Sequence, residues 1–195
     1  MNLDAAQWHA WHGATFPDES WYRDDDEQLC AIVGAPRVDL VSRERYGDFI
    51  LQFEFALPVG GNSGVFYRVD ESAGLAWHSG PEMQLLDDAV HPDGEEPTTR
   101  NGALYGLLAP EQETRIGPGS FMHAALVVRR GAVEHWLGNR MVLSYRLDDP
   151  ALHTLIESSK FADKPLFAKA PAGHIVLQHH GEAVRFRRLS IEALG

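Results

Sequence analysis

The chain has 195 residues, and its 44% hydrophobic and 23% charged content indicates a single globular domain over residues 1–195 and not a disordered protein. Seventeen basic residues against 28 acidic ones give a formal net charge of −11, which disfavours nucleic acids and anionic membrane surfaces as partners. The single cysteine, Cys30, excludes an internal disulfide, and no apolar run approaches the ~18 residues of a membrane span.

The N-terminal residues 1–17 contain Asp4, His9 and His12 and lack the apolar stretch of a signal peptide. We therefore expect a cytoplasmic protein from the sequence as written, and a periplasmic or secreted one if a signal peptide has been removed. Asp4 is a suitable N-cap for one helical turn within residues 4–12. The acidic run 24–27 further along predicts a solvated turn.

Alternation of apolar and polar residues recurs along the chain and predicts short strands. In residues 48–55, Phe49, Leu51, Phe53 and Phe55 share one face. The other alternating segments are 65–70, 82–86, 125–129, 133–137, 141–145, 174–180 and 184–186. Strands of this length separated by turns are typical of an all-β sandwich or barrel.

The segments between these strands carry turn, loop and helix signals. Gly138-Asn139 predicts a two-residue hairpin turn, and the glycine-rich run 60–64 predicts a tight connection with positive φ and not a phosphate site. Residues 149–158 predict a short helix with Pro150 at its first position. The stretch 87–100, rich in Asp, Glu, Pro and Gly, predicts a long loop that is either functional or a mobile insertion.

Polar residues on shared strand faces are candidates for a binding groove. Glu82 and Gln84 share one face, and Gln178 and His180 share another face with His174. Arg68 shares a face with Phe66. His135 lies on the face opposite Trp136, which we expect to be a core residue.

Metal and cofactor signals in the sequence are weak. His179 and His180 are adjacent in a strand and point to opposite faces, so one of them at most is expected to join Glu82 or His135 at an ion. The sequence contains no His-Glu-x-x-His, no paired Cys-x-x-Cys and no Gly-x-Ser-x-Gly motif. It also lacks a phosphate-binding glycine loop, so we expect no nucleotide cofactor.

Several short motifs follow one another at spacings typical of one known family. They are Tyr46-Gly47-Asp48-Phe49, Gly61-Asn62-Ser63-Gly64-Val65-Phe66-Tyr67-Arg68, Gly80-Pro81-Glu82-Met83-Gln84-Leu85-Leu86-Asp87-Asp88, His91-Pro92-Asp93, Gly102-Ala103-Leu104-Tyr105-Gly106, His135-Trp136-Leu137 and Leu177-Gln178-His179-His180-Gly181. Together they resemble the 3-keto-disaccharide hydrolase family over residues 40–194, and more loosely from residue 21. The resemblance implies a concanavalin A-like jelly-roll sandwich of two antiparallel sheets with a concave sugar-binding face.

The chain departs from the family pattern at several positions. Met122-His123 stands where the family usually has Trp-Asn, Gly138-Asn139 where it has Asn-Gly, and Phe186-Arg187-Arg188 where it has Phe-Arg-Asn. His179 occupies the place of an aspartate in the family's Leu-Gln-Asp-His-Gly motif. Any role of that aspartate in the family's site therefore does not carry over to this chain.

The resemblance implies cleavage of glycosides already oxidised at carbon 3. A base removes the acidified proton on carbon 2, the group on carbon 1 leaves, and water adds to the resulting enone. A sugar 3-oxidoreductase acting upstream is then implied as a metabolic partner.

This chemistry assigns roles to particular residues as expectations. The expected catalytic residues are Glu82, His135 and His180, and Glu82 and His135 are also the expected ligands of a divalent metal ion that would stabilise the enolate. The residues expected to bind the substrate are Arg68, Gln84, Gln178 and Trp77.

Two other functions remain open at this point. A retaining glucanase of the same fold would need paired carboxylates, and Glu82, Gln84 and Asp87 have the spacing of such a motif with its middle acid replaced by an amide. The last acid is also one methylene shorter than the usual glutamate. A non-catalytic carbohydrate-binding module would use the same aromatic and amide side chains without chemistry.

Overall fold

Alternating apolar residues build two β-sheets in the computed structural model, which describes residues 5–194. These residues form twelve strands, one α-helix and four short 3-10 helices. The strands are β1 (Trp8–Ala10), β2 (Trp21–Arg23), β3 (Leu29–Ala31), β4 (Leu40–Tyr46), β5 (Phe49–Ala56), β6 (Asn62–Val69), β7 (Glu82–Leu86), β8 (Met122–Arg129), β9 (Ala132–Leu137), β10 (Arg140–Arg146), β11 (Gly173–Leu177) and β12 (Arg185–Ala193). The helix is α1 (Pro150–Glu157), and the 3-10 helices are Ala5–Gln7, Ala76–His78, Pro92–Glu95 and Pro97–Thr99.

The strands form two antiparallel sheets. The smaller sheet has five strands in the order β1-β4-β11-β6-β7, and the larger has seven in the order β10-β9-β8-β5-β12-β3-β2. Neighbours in each sheet pair antiparallel, as in β6 with β7 and β5 with β8. The expected all-β jelly-roll sandwich of two antiparallel sheets is therefore confirmed. No helix within residues 5–194 is long and apolar enough to cross a membrane.

The core lies between the two sheets. Phe49, Leu51, Phe53 and Phe55 of β5 are all buried in it, as their alternation predicted, while Gln52 is exposed. The five-stranded sheet contributes side chains that include Leu40, Val65, Tyr67, Met83, Leu85, Ile175 and Leu177. Burial of each large apolar side chain stabilises the fold by about 1.5–3 kcal/mol relative to exposure.

The polar residues of β7 lie on the face of the five-stranded sheet that points away from the core. Met83 and Leu85 of β7 point into the core, so Glu82 and Gln84 point to the opposite face. The free edge of β7 is covered by the segment 101–105, where Gly102 N–H donates to Gln84 O at 2.8 Å and Tyr105 N–H donates to Glu82 O at 3.1 Å. These backbone bonds hold Tyr105 beside Glu82.

Several local predictions are confirmed. The helix of residues 149–158 is α1, with Pro150 in its first turn and an Asp149 carboxylate oxygen accepting from Ala151 N–H at 2.8 Å. The Gly138-Asn139 turn joins β9 to β10. The loop of residues 87–100 is held by Asp88, whose carboxylate accepts from Asn101 N–H at 2.8 Å.

Other local predictions are confirmed only in part. The predicted helical turn is present as the 3-10 helix Ala5–Gln7 and is followed by β1, while its proposed N-cap Asp4 lies outside the described residues. Within the glycine-rich run 60–64 only Gly60 has a positive φ, of 66°, because Asn62 already begins β6. The strand expected over residues 174–180 ends at Leu177.

Candidate functional site

A polar pocket of about 250 Å³ lies on the face of the five-stranded sheet that Glu82 and Gln84 share. Five of the residues expected to act on a substrate line it, namely Trp77, Glu82, Gln84, Gln178 and His180. The other lining residues were not expected as site residues, and they are Asn62, Asp93, Tyr105 and Lys160. The pocket therefore joins strands β6 and β7 to the loops that follow β7, α1 and β11.

Glu82 is the most deeply placed acid of the pocket. It begins β7, is only 8% exposed, and lies opposite Phe66 of β6. Burial is the main cause that raises the pKa of Glu82 to about 8; the Lys160 ammonium opposes this rise, and the nearby carboxylates of Asp39 and Asp93 contribute to it. At neutral pH this carboxyl is therefore mostly protonated, and once ionised it is a stronger base than an ordinary carboxylate.

Three buried amide oxygens border the pocket without a hydrogen-bond partner among residues 5–194. They are Oε1 of Gln84, Oε1 of Gln178 and Oδ1 of Asn62. The position of Gln84 is fixed because its Nε2 donates to Thr99 O at 3.2 Å, and that of Gln178 because its backbone N–H donates to Gly64 O at 2.9 Å. A buried amide oxygen accepts hydrogen bonds, and a sugar hydroxyl supplies the matching donor.

The ammonium group of Lys160 lies over two aromatic rings of the pocket. Its Nζ lies 4.1 Å from the ring centroid of Tyr105 and 5.2 Å from that of Trp77. Desolvation lowers the pKa of Lys160, while Glu82 and Asp93 act to raise it. Tyr105 donates its hydroxyl to Asp93 Oδ2 at 3.1 Å, and burial followed by the Asp93 charge raises the pKa of Tyr105 to about 12.

His180 carries its own acidic partner. Its Nδ1 lies 3.1 Å from Glu182 Oε2, and its ring is half-buried at the pocket wall. A carboxylate in this position orients the imidazole and leaves Nε2 as the atom that exchanges a proton with a ligand.

His179 lies on a different side of the chain from His180. Its buried ring packs edge-on against Trp21, with ring centroids 5.3 Å apart, and burial lowers the pKa of His179. Its backbone N–H donates to Asp39 Oδ1 at 2.8 Å. Burial raises the pKa of Asp39 to about 6. The position of the family's aspartate is filled here by a core histidine, which its lowered pKa keeps neutral.

His135 is not part of the pocket. Its ring is 0% exposed in the core, where Nδ1–H donates to Gly102 O at 2.9 Å and Nε2 accepts from the Tyr145 hydroxyl at 3.2 Å. The Tyr145 hydroxyl is in turn hydrogen-bonded to that of Tyr67. Burial lowers the pKa of His135 to about 4, so the ring is neutral at physiological pH. We expected Trp136 in the core and His135 on the opposite face of β9. The structure shows the reverse, since His135 is buried and Trp136 is half-buried.

Arg68 is likewise outside the pocket. Its Nε donates to Gly47 O at 3.0 Å, and its Nη2 lies 3.2 Å from Asp48 Oδ1. Arg68 has a φ of 50°, which breaks the strand alternation that grouped it with Phe66. The cation of the pocket is Lys160 instead.

The residues that sequence reasoning missed lie on loops, where face alternation gives no information. Lys160 follows α1, and Asp93 lies in the 87–100 loop, which was expected to be either functional or a mobile insertion. Tyr105 belongs to a motif of the resemblance, but only its pairing beside β7 shows that it reaches the pocket. Asp39 precedes β4 and acts on Glu82 through its charge.

The model of a known family matches residues 2–192 of this chain, and its description is "3-keto-alpha-glucoside-1,2-lyase-like domain". The chain belongs to this family. The match begins nearer the N-terminus than the motifs of residues 40–194 indicated, and it includes β1 to β3.

One curated relative agrees with this assignment, and a solved structure shares the fold. The chain is 29% identical over 179 residues to a protein of Bacteroides thetaiotaomicron named 3-keto-disaccharide hydrolase, and the match covers 80% of this chain but only 62% of that relative. A crystal structure described as a putative glycosyl hydrolase from Parabacteroides distasonis superposes with a TM-score of 0.90 at 24% identity, covering 98% of this chain and 90% of that one.

The fold is also similar to that of a carbohydrate-binding protein. The carbohydrate binding module CBM66 of Bacillus subtilis superposes with a TM-score of 0.61 at 13% identity and covers 96% of each chain. At such identities the two superpositions describe the fold alone.

Proposed function

We propose that this protein cleaves the glycosidic bond of 3-keto-glycosides by elimination followed by hydration. The family and the relative named as a hydrolase support an enzyme that acts on carbohydrates. The observation that carries the finer proposal is the meeting, in one pocket, of a buried carboxyl with a raised pKa, an imidazole and an ammonium group, from Glu82, His180 and Lys160.

Glu82 is the base in the first step. Its ionised carboxylate takes the proton from carbon 2 of the sugar, and the electrons of that C–H bond form the enolate of the 3-ketone. A carboxylate whose pKa is about 8 is better matched to this weakly acidic proton than one with an ordinary value of 4.5. Lys160 lies beside Glu82 and provides the positive charge that stabilises the enolate oxygen.

His180 is the acid in the second step. The enolate reforms the ketone, and the electrons of its double bond form a new double bond between carbons 1 and 2. The bond between carbon 1 and the leaving oxygen breaks, its electrons stay with that oxygen, and protonated His180 gives its proton to it. Water then adds at carbon 1, His180 takes the proton released, and Glu82 returns its proton to carbon 2. Glu182 holds the imidazole in position through the contact at Nδ1. The sum of these steps is hydrolysis of the glycosidic bond.

The remaining lining residues bind the sugar in this proposal. Gln84 and Gln178 accept hydrogen bonds from its hydroxyl groups through their unpartnered oxygens, and Trp77 packs against the ring. A wider cavity of about 490 Å³ shares Tyr105 and Lys160 with the pocket, and we place the leaving group there. A sugar 3-oxidoreductase is the class of enzyme that must supply the ketone.

The metal ion expected from the sequence had Glu82 and His135 as its ligands. These two residues do not fit it, because His135 lies in the core with both ring nitrogens in hydrogen bonds. We therefore derive no step through a metal ion in this pocket.

The glucanase alternative needs Asp87 as the second carboxylate. Asp87 instead accepts from Gly60 N–H at 2.8 Å and from Ala89 N–H at 3.3 Å, and it does not line the pocket. Its carboxylate therefore closes the turn before β6, which disfavours a retaining mechanism.

The deciding experiment compares a 3-keto-glucoside with the matching unoxidised glucoside, each with and without EDTA. We expect release of the aglycone from the keto sugar alone, and loss of at least about 100-fold in kcat for Glu82→Gln. The exposed Glu157→Gln variant is the matched control and retains activity. Binding of either sugar without turnover would favour a carbohydrate-binding module, and release from the unoxidised sugar would overturn the elimination mechanism.

A further inference from the structure

A second cluster of chemically active side chains lies far from the pocket on the same sheet. It consists of His9 on β1, Glu71 in the turn after β6 and His174 on β11. β1 is one edge strand of the five-stranded sheet and β7, which carries Glu82, is the other. The cluster is therefore separate from the proposed catalytic residues.

The two imidazoles are held with their Nε2 atoms directed at one carboxylate. Nε2 of His9 lies 3.6 Å from Glu71 Oε2, and Nε2 of His174 lies 3.7 Å from the same oxygen. The three ligand atoms all lie within 4.8 Å of one another. The side chains are 12%, 27% and 15% exposed for His9, Glu71 and His174, so the cluster is partly shielded but open to solvent.

Backbone carbonyls fix the tautomer of both rings. His9 Nδ1 donates to Gly13 O at 2.9 Å, and His174 Nδ1 donates to Ser42 O at 2.6 Å. A carbonyl oxygen can only accept, so Nδ1 carries the proton and the Nε2 of each neutral ring presents a lone pair. Metal-binding histidines show this same arrangement, in which the second ring nitrogen donates to a carbonyl or carboxylate.

The distances fit a shared ion better than direct hydrogen bonds. Separations of 3.6 and 3.7 Å exceed the roughly 2.7–3.2 Å of an N–H···O hydrogen bond. Ligands at about 2.0–2.1 Å from a tetrahedral zinc ion lie about 3.3 Å apart. Small adjustments of the three side chains would therefore bring all three ligand atoms to bonding distance of one ion.

The turn that carries Glu71 is itself held in place. His12 Nε2 donates to Glu71 O at 2.9 Å and to Ala73 O at 3.1 Å, and Ser72 N–H donates to Asp70 Oδ1 at 3.0 Å. The His12 bonds tie the turn to the segment that follows β1, and the Ser72 bond stabilises the turn itself. The cluster thus has a preformed backbone and needs only side-chain adjustment to bind an ion.

We propose that His9, Glu71 and His174 form a binding site for one divalent transition-metal ion. Two imidazole nitrogens and one carboxylate suit zinc and its neighbours in the first transition row, and they do not suit magnesium or calcium. The bound ion would leave at least one coordination position to water and would link the edge strand β1 to β11 and to the turn after β6.

The test is calorimetric titration of the tag-free, EDTA-treated full chain with zinc chloride, and separately with magnesium chloride. We expect one equivalent of zinc to bind, with no binding of magnesium. Glu71→Gln and His174→Gln should each weaken zinc binding by at least about 100-fold, because loss of an outer partner alone costs about 10–100-fold. Zinc should also raise the thermal midpoint of the wild type but not of these variants.

Matched control variants test whether zinc binding requires this cluster and not other acidic or histidine side chains. Glu44→Gln and His123→Gln change exposed residues of the same types, and His180→Gln removes the imidazole of the pocket. All three should bind zinc as the wild type does. Equal zinc affinity in the wild type and Glu71→Gln, or loss of binding in His180→Gln, would overturn the proposal. The thermal midpoint of each zinc-free variant shows whether the variant is folded.

Discussion

The carboxyl of Glu82 occupies space that only a glycine at position 64 leaves open. Gly64 on β6 is paired with Gln84 on the neighbouring strand, one pleat from Glu82. A Cβ atom on Gly64 would overlap Oε1 of Glu82, and it would approach Cδ to 2.9 Å. The floor of the pocket is therefore shaped by the absence of a side chain as much as by the acid itself.

Replacing this glycine should displace the proposed base. We expect Gly64→Ala to cost about 1–3 kcal/mol of stability through overpacking, and to reduce kcat on a 3-keto-glucoside by at least about 10-fold as Glu82 moves. The control is Gly117→Ala, where a new Cβ would lie 3.4 Å from Ser120 Oγ. Steady-state kinetics and urea unfolding check both variants, and unchanged kcat in Gly64→Ala would contradict the role of Glu82.

The raised pKa of Glu82 should make stability depend on pH. In the unfolded chain this carboxyl loses its proton near 4.5, whereas in the folded protein it keeps the proton to about 8. Between these values the folded state binds more protons, so the free energy of unfolding falls as the pH rises. The raised pKa of Asp39, at about 6, acts in the same direction over the lower part of this range.

The variant Glu82→Gln separates the contribution of Glu82 to this pH dependence from that of Asp39. We expect the wild type to lose about 2–4 kcal/mol more stability than Glu82→Gln between about pH 5 and about pH 8, since one pKa unit corresponds to about 1.4 kcal/mol. Urea unfolding at the two pH values measures the difference. Parallel pH dependence in both proteins would show that Glu82 titrates normally.

How far the sequence predicted the site depended on whether a residue lies within a regular strand. Alternation correctly placed Glu82 and Gln84 together, because β7 runs without interruption from Glu82 to Leu86. It failed for Arg68, where a φ of 50° interrupts β6, and it assigned the wrong side of β9 to His135. A histidine with two internal hydrogen-bond partners can occupy the core, and composition does not reveal those partners.

The fold was more predictable than the pocket, because long strands such as β5 repeat one pattern over many residues. The four N-terminal strands were missed. β1, β2 and β3 have three residues each and offer no period to detect, and the seven-residue β4 buries Leu40, Val41 and Ser42 in succession and so does not alternate. Lys160, Asp93 and Tyr105 reach the pocket only through loop geometry. The packing of Phe161 and Leu104 into a second apolar cluster with Leu152 of α1 holds those loops in place, and it involves residues distant in sequence.

Lys160 should lower the pH at which the proposed base becomes active. Activity on a 3-keto-glucoside needs ionised Glu82, so kcat/KM of the wild type should rise with pH and level off above about 8. Lys160→Met removes the cation that lowers the pKa of Glu82, so the rise should move to higher pH and the plateau should fall by about 100-fold. The exposed Lys169→Met variant is the control. An unshifted pH profile in Lys160→Met would contradict the coupling.

The two histidines expected to be catalytic should give opposite results when replaced by glutamine. His135→Gln leaves core hydrogen-bonding groups of Gly102 and Tyr145 poorly satisfied, which should lower stability by about 1–3 kcal/mol. The kcat of its folded fraction should stay unchanged. His180→Gln changes a half-buried residue of the pocket, so its thermal midpoint should stay near the wild-type value while kcat falls by about 100-fold or more. Thermal unfolding and active-fraction-corrected kinetics on both variants measure this contrast. If kcat falls as much in folded His135→Gln as in His180→Gln, His135 is a catalytic residue.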